Sequence, residues 1–483
     1  MKKFISISIF LFTAVASLAQ GYKVSLQTPN FKDGIVYLTY YYGRTMNIED
    51  SGVINNKGIA VFQKNDKLQP GVYSIVFPGK TKLFDFLVGK EQAISITADT
   101  TDLVNTVVVN GSPENKLFQE YQKVVALKGG KLQEELAAFE NSKTKSDSLF
   151  HEKNYNTINK ELSDYRDKII QENPESMLTA LFKSMKEPQA LMVKPVTRED
   201  SVNNYQYYKK HYWDGIDFTD DRVIRTPFFL PKVERFFREV VTPAPDSIIR
   251  EADYLLLRAR TSTEMYKFFL NWLTDEYINP KYMGQDAVFV HLFEKYHSKG
   301  ISSWLNEKQI TAITNRAYML MSNLIGEQAP NLEMVDTAGI KRSLFDMQAT
   351  YTVICFWDPT CGHCQHEVPR LDSFYRAKWK DEGVKMYGVL TETKEQAKWI
   401  DFIRKNNLQS WTNVYQTDVQ KKAIEDAQKP SYKQLYDITQ TPTLYLLDKD
   451  KRIIAKKLSI DQMDDLLDMK INTKTTDNKA LNN

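Results

Sequence analysis

The sequence predicts a multidomain chain: an all-β sandwich or barrel at the N-terminus, a helical middle domain and a C-terminal α/β domain. Three observations carry this expectation. Short β-branched and aromatic runs separated by turn residues fill 20–110, an apolar period near 3.6 runs through 111–324, and strands alternate with helices over 325–470. A chain of 483 residues has enough length for several domains with substantial cores.

Ahead of these domains, residues 1–19 read as an export signal. Lys2 and Lys3 give a positive start, residues 4–15 are an apolar run, and residues 16–19 are small near a cut before Gln20. The run is short for a membrane span of about 20 residues, and no second long apolar run follows. A soluble periplasmic protein with no stable transmembrane anchor is therefore expected, with peripheral membrane association left open. Formal net charge is only +3, which gives no reason to expect nucleic acid as a partner.

The N-terminal strands are expected at "YKVSL", "IVYLTYY", "GIAVF", "VYSIVFP", "LFDFLV", "AISIT" and "TVVV". Val72, Ser74 and Val76 against Tyr73, Ile75 and Phe77 give the clearest two-faced pattern. At "NGSPENKLFQEYQKV" the character changes. Ser112 is placed to cap a helix opening at Pro113, with Leu117, Tyr121 and Val125 on one face. Ile158, Leu162, Tyr165 and Ile169 continue the helical period, and prolines such as Pro174, Pro227 and Pro243 cut the region into packed helices. His211, Asp214, Asp217, Asp220 and Asp221 cluster in one stretch, but their spacing matches no metal motif, so a loop between helices is expected there.

The C-terminal domain opens near Pro330 with a strand at residues 332–335, and Ser343 is placed to cap a brief helix. "TYTVICFW", "VKMYGVL" and "WTNVYQ" read as strands, "KEQAKWIDFIRKNN" as a helix, and "TLYLLDKDKRIIAKKL" as a hairpin. The last helix is expected at "IDQMDDLLDM", and 471–483 as a flexible tail.

All three cysteines lie in "VICFWDPTCGHCQHEVPRL". If Cys361 starts a helix, its sulfur meets free backbone amides that favour a thiolate, while Cys364 lies one turn on and can close a disulfide with it. Cys361 is then the exposed attacking thiol and Cys364 the resolving one. Zinc would need more ligands than Cys361, Cys364, His363 and His366 can direct at one ion, and no second cysteine pair exists. A merely structural disulfide is the other alternative. Cys355, six residues earlier on the strand, reads as a buried small hydrophobe, with a third reactive thiol near Cys364 as the minority reading. No flavin or nicotinamide motif occurs, and neither cofactor nor metal is expected.

On "VICFWDPTCGHC" and "TQTPTLYLLD" the C-terminal domain resembles the thioredoxin superfamily, especially its TlpA/ResA-like periplasmic thiol-disulfide oxidoreductases. The resemblance implies a thioredoxin-like fold in which Pro442, after Thr441, is a cis-proline lying against the cysteine pair. It also implies a substrate groove shaped by Trp357, Thr360, Thr441 and Pro442, and a helix-kinking role for Pro369. Glu367 would accept a proton from Cys364 or tune the pair, against the plain reading of a first-turn carboxylate. His363 would stabilise a thiolate electrostatically. Two departures stand out: Cys355 replaces the buried aspartate of thioredoxin, and Thr360 replaces the aromatic residue often found before the first cysteine. The regions before it are similar to β-rich and helical accessory modules of Bacteroidetes exported proteins, which implies positioning or partner recognition. The resulting expectation is disulfide exchange with exported proteins, with reduction the preferred direction, recharged by an upstream thiol partner. A redox-inert periplasmic scaffold and a disulfide oxidase or isomerase remain the alternatives.

Overall fold

The computed structural model describes residues 21–79, 83–188 and 195–481. The expected export signal lies outside them. By contacts the chain forms two compact units, one of residues through Val241 with Leu257–Phe268, the other of Thr242–Leu256 with Phe269 onward.

The first unit opens with strands β1 (Tyr22–Gln27), β2 (Ile35–Tyr42), β3 (Thr45–Val53), β4 (Ile59–Lys64), β5 (Gly71–Val76), β6 (Leu83–Val88) and β7 (Ala93–Thr97), then a short helix α1 (Leu103–Thr106) and strand β8 (Val108–Asn110). They form two four-stranded sheets, ordered β4-β1-β7-β8 and β3-β2-β5-β6, and no closed barrel among the described residues. Period-two side chains make the sandwich. Ile94 and Ile96 of β7 point inward with Val24, Leu38, Phe62, Ile75 and Phe86, while Ala93, Ser95 and Thr97 are exposed.

The middle region contains α2 (Pro113–Glu140), α3 (Lys145–Glu172), α4 (Met177–Met185), α5 (Arg198–Lys210), α6 (Phe229–Arg235), α7 (Pro245–Ala259), α8 (Thr263–Tyr277), α9 (Asp286–Lys295) and α10 (Glu307–Met321), with a 3-10 turn at Asp221–Arg225. Pairing of Lys128 with Glu161 and of Glu135 with His151 shows α2 and α3 to be an antiparallel hairpin. Ser112 does stand at the N-cap of α2, but its hydroxyl accepts from the Asn115 side chain at 2.8 Å instead of a helix amide. Asn115 in turn mimics a strand, accepting from the Leu87 amide at 2.7 Å and donating to its carbonyl at 2.6 Å. The acidic stretch after His211 is a set of local pairs: His211 with Asp214, Asp217 with Thr219, and Asp220 with Arg222.

Two details of the sandwich differ from the sequence expectation. Strand β3 is an addition, because "TMNIEDSGV" is largely polar and shows no clean alternation; it is the outermost strand of its sheet. The β5 pattern does not divide inside from outside, since all six of its residues are buried. One face meets the sandwich core, and the other is covered by helix α4 and the 3-10 turn Asp221–Arg225.

The second unit carries β9 (Glu333–Asp336), β10 (Lys341–Ser343), β11 (Tyr351–Trp357), α11 (Gly362–Phe374), β12 (Val384–Leu390), α12 (Gln396–Lys405), β13 (Thr412–Tyr415), α13 (Asp418–Asp426), α14 (Tyr432–Leu435), β14 (Thr443–Leu447), β15 (Ile453–Lys456) and α15 (Ile460–Leu481). They build a seven-stranded mixed sheet, ordered β10-β9-β13-β12-β11-β14-β15, with β11 parallel to β12 and antiparallel to β14. This is a thioredoxin-like arrangement. Strand β11 is buried on both faces: Val353, Cys355 and Trp357 pack under α11, whereas Ile354 and Phe356 pack with Tyr387, Tyr436 and Tyr445. Helices α13 and α14 add to the expected elements, and α15 continues past Met469, with helical backbone through most of the stretch expected to be loose. No glycine or proline interrupts residues 460–481, so nothing local stops the helix.

Candidate functional site

The site begins where β11 ends. Strand β11 delivers Trp357, and "DPT" turns the chain so that Cys361 becomes the N-cap of α11. Asp358 organises that turn. Its carboxylate accepts from the Thr360 amide and hydroxyl at 2.8 Å each, and its amide donates to the Cys364 sulfur at 3.5 Å. Sequence reasoning missed Asp358, although an Asp ahead of Pro is a turn signal.

Across from this turn lies the Thr441–Pro442 peptide, which is cis, and the Cys361 thiol donates to the Thr441 carbonyl at 3.4 Å. Strand register explains the approach. Cys355 of β11 pairs with Leu444 of β14, so the residues just before β14 sit level with the loop after β11.

The two sulfurs occupy opposite environments. Cys361 is partly exposed; Cys364 is fully buried. Burial pushes the Cys361 thiol up, but Thr441, the Cys364 amide and thiol, and the His363 amide together hold it below its ordinary value. Cys364 is pushed up to about 12, chiefly by burial and secondarily by its neighbour Cys361. Cys355 is raised as well, by complete burial and then by the charge of Cys364. Such a set makes the outward Cys361 the readier of the two to ionise, beside an inward thiol that holds its proton more tightly.

The remaining expected residues fall into three groups. Thr360 is exposed beside Cys361, the Thr441 carbonyl meets Cys361, and Pro442 follows across the cis peptide. Glu367 lines a cavity of about 240 Å³ together with Cys355, Pro442, Gln440 and Lys457, and bonds Arg370 at 3.2 Å. His363 is exposed, and its contribution to Cys361 comes through the backbone amide. Trp357 corrects the expectation of a groove residue: it has no exposed surface and packs against Phe402 with ring centroids 5.2 Å apart, as floor beneath the site. Cys355 has no exposed surface either, although its side chain borders that cavity. Gln440, Lys457 and Leu458 are among the further cavity-lining residues, and nothing in their local sequence marks them. Among the described residues no group of three or more His, Cys, Asp or Glu side chains could hold a metal ion, and no helix is long and apolar enough to cross a membrane.

With this geometry in hand, similarity to known proteins is informative. Residues 325–456 match the AhpC/TSA family, and residues 147–323 match a domain of unknown function, DUF5106. The thiol-disulfide oxidoreductase ResA of Bacillus cereus is 27% identical over 132 residues, spanning 27% of this chain and 68% of that protein. ResA of Bacillus anthracis is 28% identical over 132 residues, with the same coverage of 27% and 68%. Among solved structures, a domain of a possible thiol-disulfide isomerase from Cytophaga hutchinsonii is 38% identical, covering 32% of this chain and 97% of that one with a TM-score of 0.27. A thioredoxin-like protein from Bacteroides caccae is 20% identical, covering 59% and 99% with a TM-score of 0.44. The C-terminal region is thus a distant, partial match to ResA-like thiol-disulfide oxidoreductases, which supports thiol-disulfide oxidoreductase chemistry at the level of the superfamily.

Proposed function

We propose that the C-terminal domain exchanges disulfides with exported polypeptides through Cys361 and Cys364, working as a reductant. One observation carries the reading: a partly exposed thiol that bonds the carbonyl of a cis-proline loop, and is held below its ordinary pKa, lies beside a buried thiol held above it.

In the reductive direction the Cys361 thiolate attacks one sulfur of a substrate disulfide. The substrate S–S bond breaks, its other sulfur leaves as a thiolate and takes a proton from solvent, and a mixed disulfide with Cys361 remains. Cys364 then loses its proton and attacks the Cys361 sulfur. The second substrate thiol is released, two electrons have passed to the substrate, and Cys361–Cys364 is bridged. A dithiol partner protein reverses the last state. Glu367, one turn beyond Cys364 and on the shared cavity, is proposed as acceptor of the Cys364 proton. The Thr441 carbonyl and Pro442 are proposed to seat the substrate backbone, with Thr360 on the rim. Thiol exchange of this kind needs no cofactor or metal. The lysine start and apolar run of residues 1–19 support export, and the periplasm is the compartment this reading requires.

The test is Cys364→Ser. It should accumulate mixed disulfides through Cys361 when incubated with exported proteins bearing disulfides, as seen by non-reducing electrophoresis. No adduct with any disulfide partner would leave the redox-inert scaffold as the better account. A thiol redox titration of the Cys361–Cys364 pair fixes direction: a potential below about −200 mV supports reduction, and one of about −120 mV an oxidase.

A further inference from the structure

In the unit that holds the cysteine pair, two cavities meet at the cis-proline loop. The first is the cavity of about 240 Å³ beside Glu367 and Pro442. The second, about 460 Å³, is walled by residues 279–284 ahead of α9, by Arg316 and Leu320 of α10, and by Thr439 of the loop. Lys457 and Leu458 line both, so the two are adjoining parts of one groove that passes from Pro442, next to the Thr441 carbonyl that Cys361 meets, towards the helical segment.

The charges of the second cavity are unbalanced. Its lining holds Lys281, Arg316, Lys456 and Lys457 against Asp286 and Asp437, so four cations over two carboxylates leave two positive charges. Asp437, with a side chain 1% exposed, binds both Arg316 at 2.6 Å and Lys457 at 2.5 Å. That clamp joins α10 to the end of β15 and fixes the Lys457 ammonium where the two cavities meet. Lys456 is taken up by Asp286 and by the carbonyl and side-chain oxygens of Asn323, which leaves it no free donor. Lys281 is exposed, and its neighbours Tyr282 and Met283 are 66% and 44% exposed. The nearby Asp461 on α15 is held by Arg370.

We propose that this groove selects the redox partner by docking an acidic segment of its polypeptide chain next to the reacting cysteine. The inference rests on the oxidoreductase reading above and adds the substrate class. A cleft with low-dielectric walls and surplus charge of one sign concentrates the opposite sign, and a pre-positioned ammonium loses little freedom on pairing. The extended course of the groove fits a peptide better than a small anion, and Tyr282 and Met283 offer apolar contact to side chains flanking the acidic residues. Specificity is thereby built by the helical segment and reaches the α/β domain through Asp437.

The experiment uses the reduced full chain and three disulfides: bis(2-hydroxyethyl) disulfide, and two peptide disulfides identical except for three flanking aspartates or three flanking lysines. Second-order rate constants of single-turnover exchange are read at low salt and at about 0.5 M salt. The acidic peptide should react roughly tenfold faster than the basic one at low salt, with the ratio falling towards unity at high salt. Lys281→Glu should remove most of the preference, and Lys299→Glu, an exposed change on the 3-10 turn His297–Lys299, should keep it. Equal rates for the two peptides, or a preference untouched by Lys281→Glu, would overturn the groove assignment while exchange with the neutral disulfide upheld the chemistry. Failure to react with any of the three would overturn both.

Discussion

Strands β5 and β11 are alike in burial and unlike in consequence. Each lies inside its sheet with every residue buried, and each is covered by helices on the face away from one core. Strand β5 passes into an antiparallel pairing with β6, so its backbone groups at both ends are used within the sheet. Strand β11 instead runs parallel to β12 and ends at a helix start, where the α11 amides have no partners of their own and the residues before β14 come alongside. A buried strand thus becomes a chemical platform through the element at its C-terminal end. A hairpin consumes the polar groups there, while a strand-to-helix junction leaves them aimed at one atom.

The largest effect should come from removing that atom. Cys361→Ser should lower disulfide exchange on the order of 10³-fold or more while stability moves by only about 0.5 kcal/mol, because the side chain is partly exposed. Insulin-reduction rates and thermal melts check both halves. Phe86→Ala, in the sandwich core against β5, should show the reverse: a loss of about 3–5 kcal/mol in the first unit by denaturant unfolding, with Cys361 exchange retained in the folded protein. Loss of exchange in folded Phe86→Ala would break the contrast between the two regions.

Acid should weaken the unit of β11 through His297. This side chain is buried between the Thr274 hydroxyl at 2.9 Å and the Ser302 hydroxyl at 2.8 Å, and burial lowers its pKa from 6.5 to about 4. The unfolded chain therefore binds this proton first. The contribution of the neutral imidazole is present in full above pH 6.5 and is lost as pH falls from 6.5 towards 4, about 3 kcal/mol over the window. Chemical denaturation at about pH 7 and about pH 4.5, wild type beside His297→Asn, measures it; equal pH slopes in the two proteins would remove His297 from the account. Asp85 and Glu114 of the first unit are raised by burial and contribute with the opposite sign, favouring that unit as they become protonated. The smallest effect sharpens the site itself. Iodoacetamide alkylation of Cys361 should show a midpoint below pH 9.0, and Cys364 should resist until the pH approaches about 12. Mass spectrometry of the two cysteine peptides separates them.

Much of the α/β domain was legible because its signals are local. "VKMYGVL" is a strand over those very residues, "TYTVICFW" is one from its second residue on, and the two-residue spacing of Cys361 and Cys364 agrees with a helix start. The cis Thr441–Pro442 bond agrees with what the resemblance implied. Strand β3 was illegible because an edge strand with solvent on much of its surface needs no apolar period. Asn115 was overlooked because its partners at Leu87 are 28 residues away and its own neighbourhood is ordinary helix. Trp357 was misplaced because a residue next to a reactive loop looks superficial in sequence, whereas its odd-numbered position on β11 turns it under α11.

By itself the sequence determined that the chain has one sulfur-bearing loop, that this loop joins an apolar strand to a helix, and that a later Thr-Pro could meet it. Those are properties of spacing and periodicity, which act over a few residues. Only the tertiary structure decided how completely Cys364 is sealed, that Glu367, Cys355 and Lys457 share one cavity, and that Asp437 gathers Arg316 and Lys457. Burial and long-range hydrogen bonds are set by residues far apart in the chain, and the burial of Cys364 with the Thr441 contact to Cys361 separates one thiol from the other.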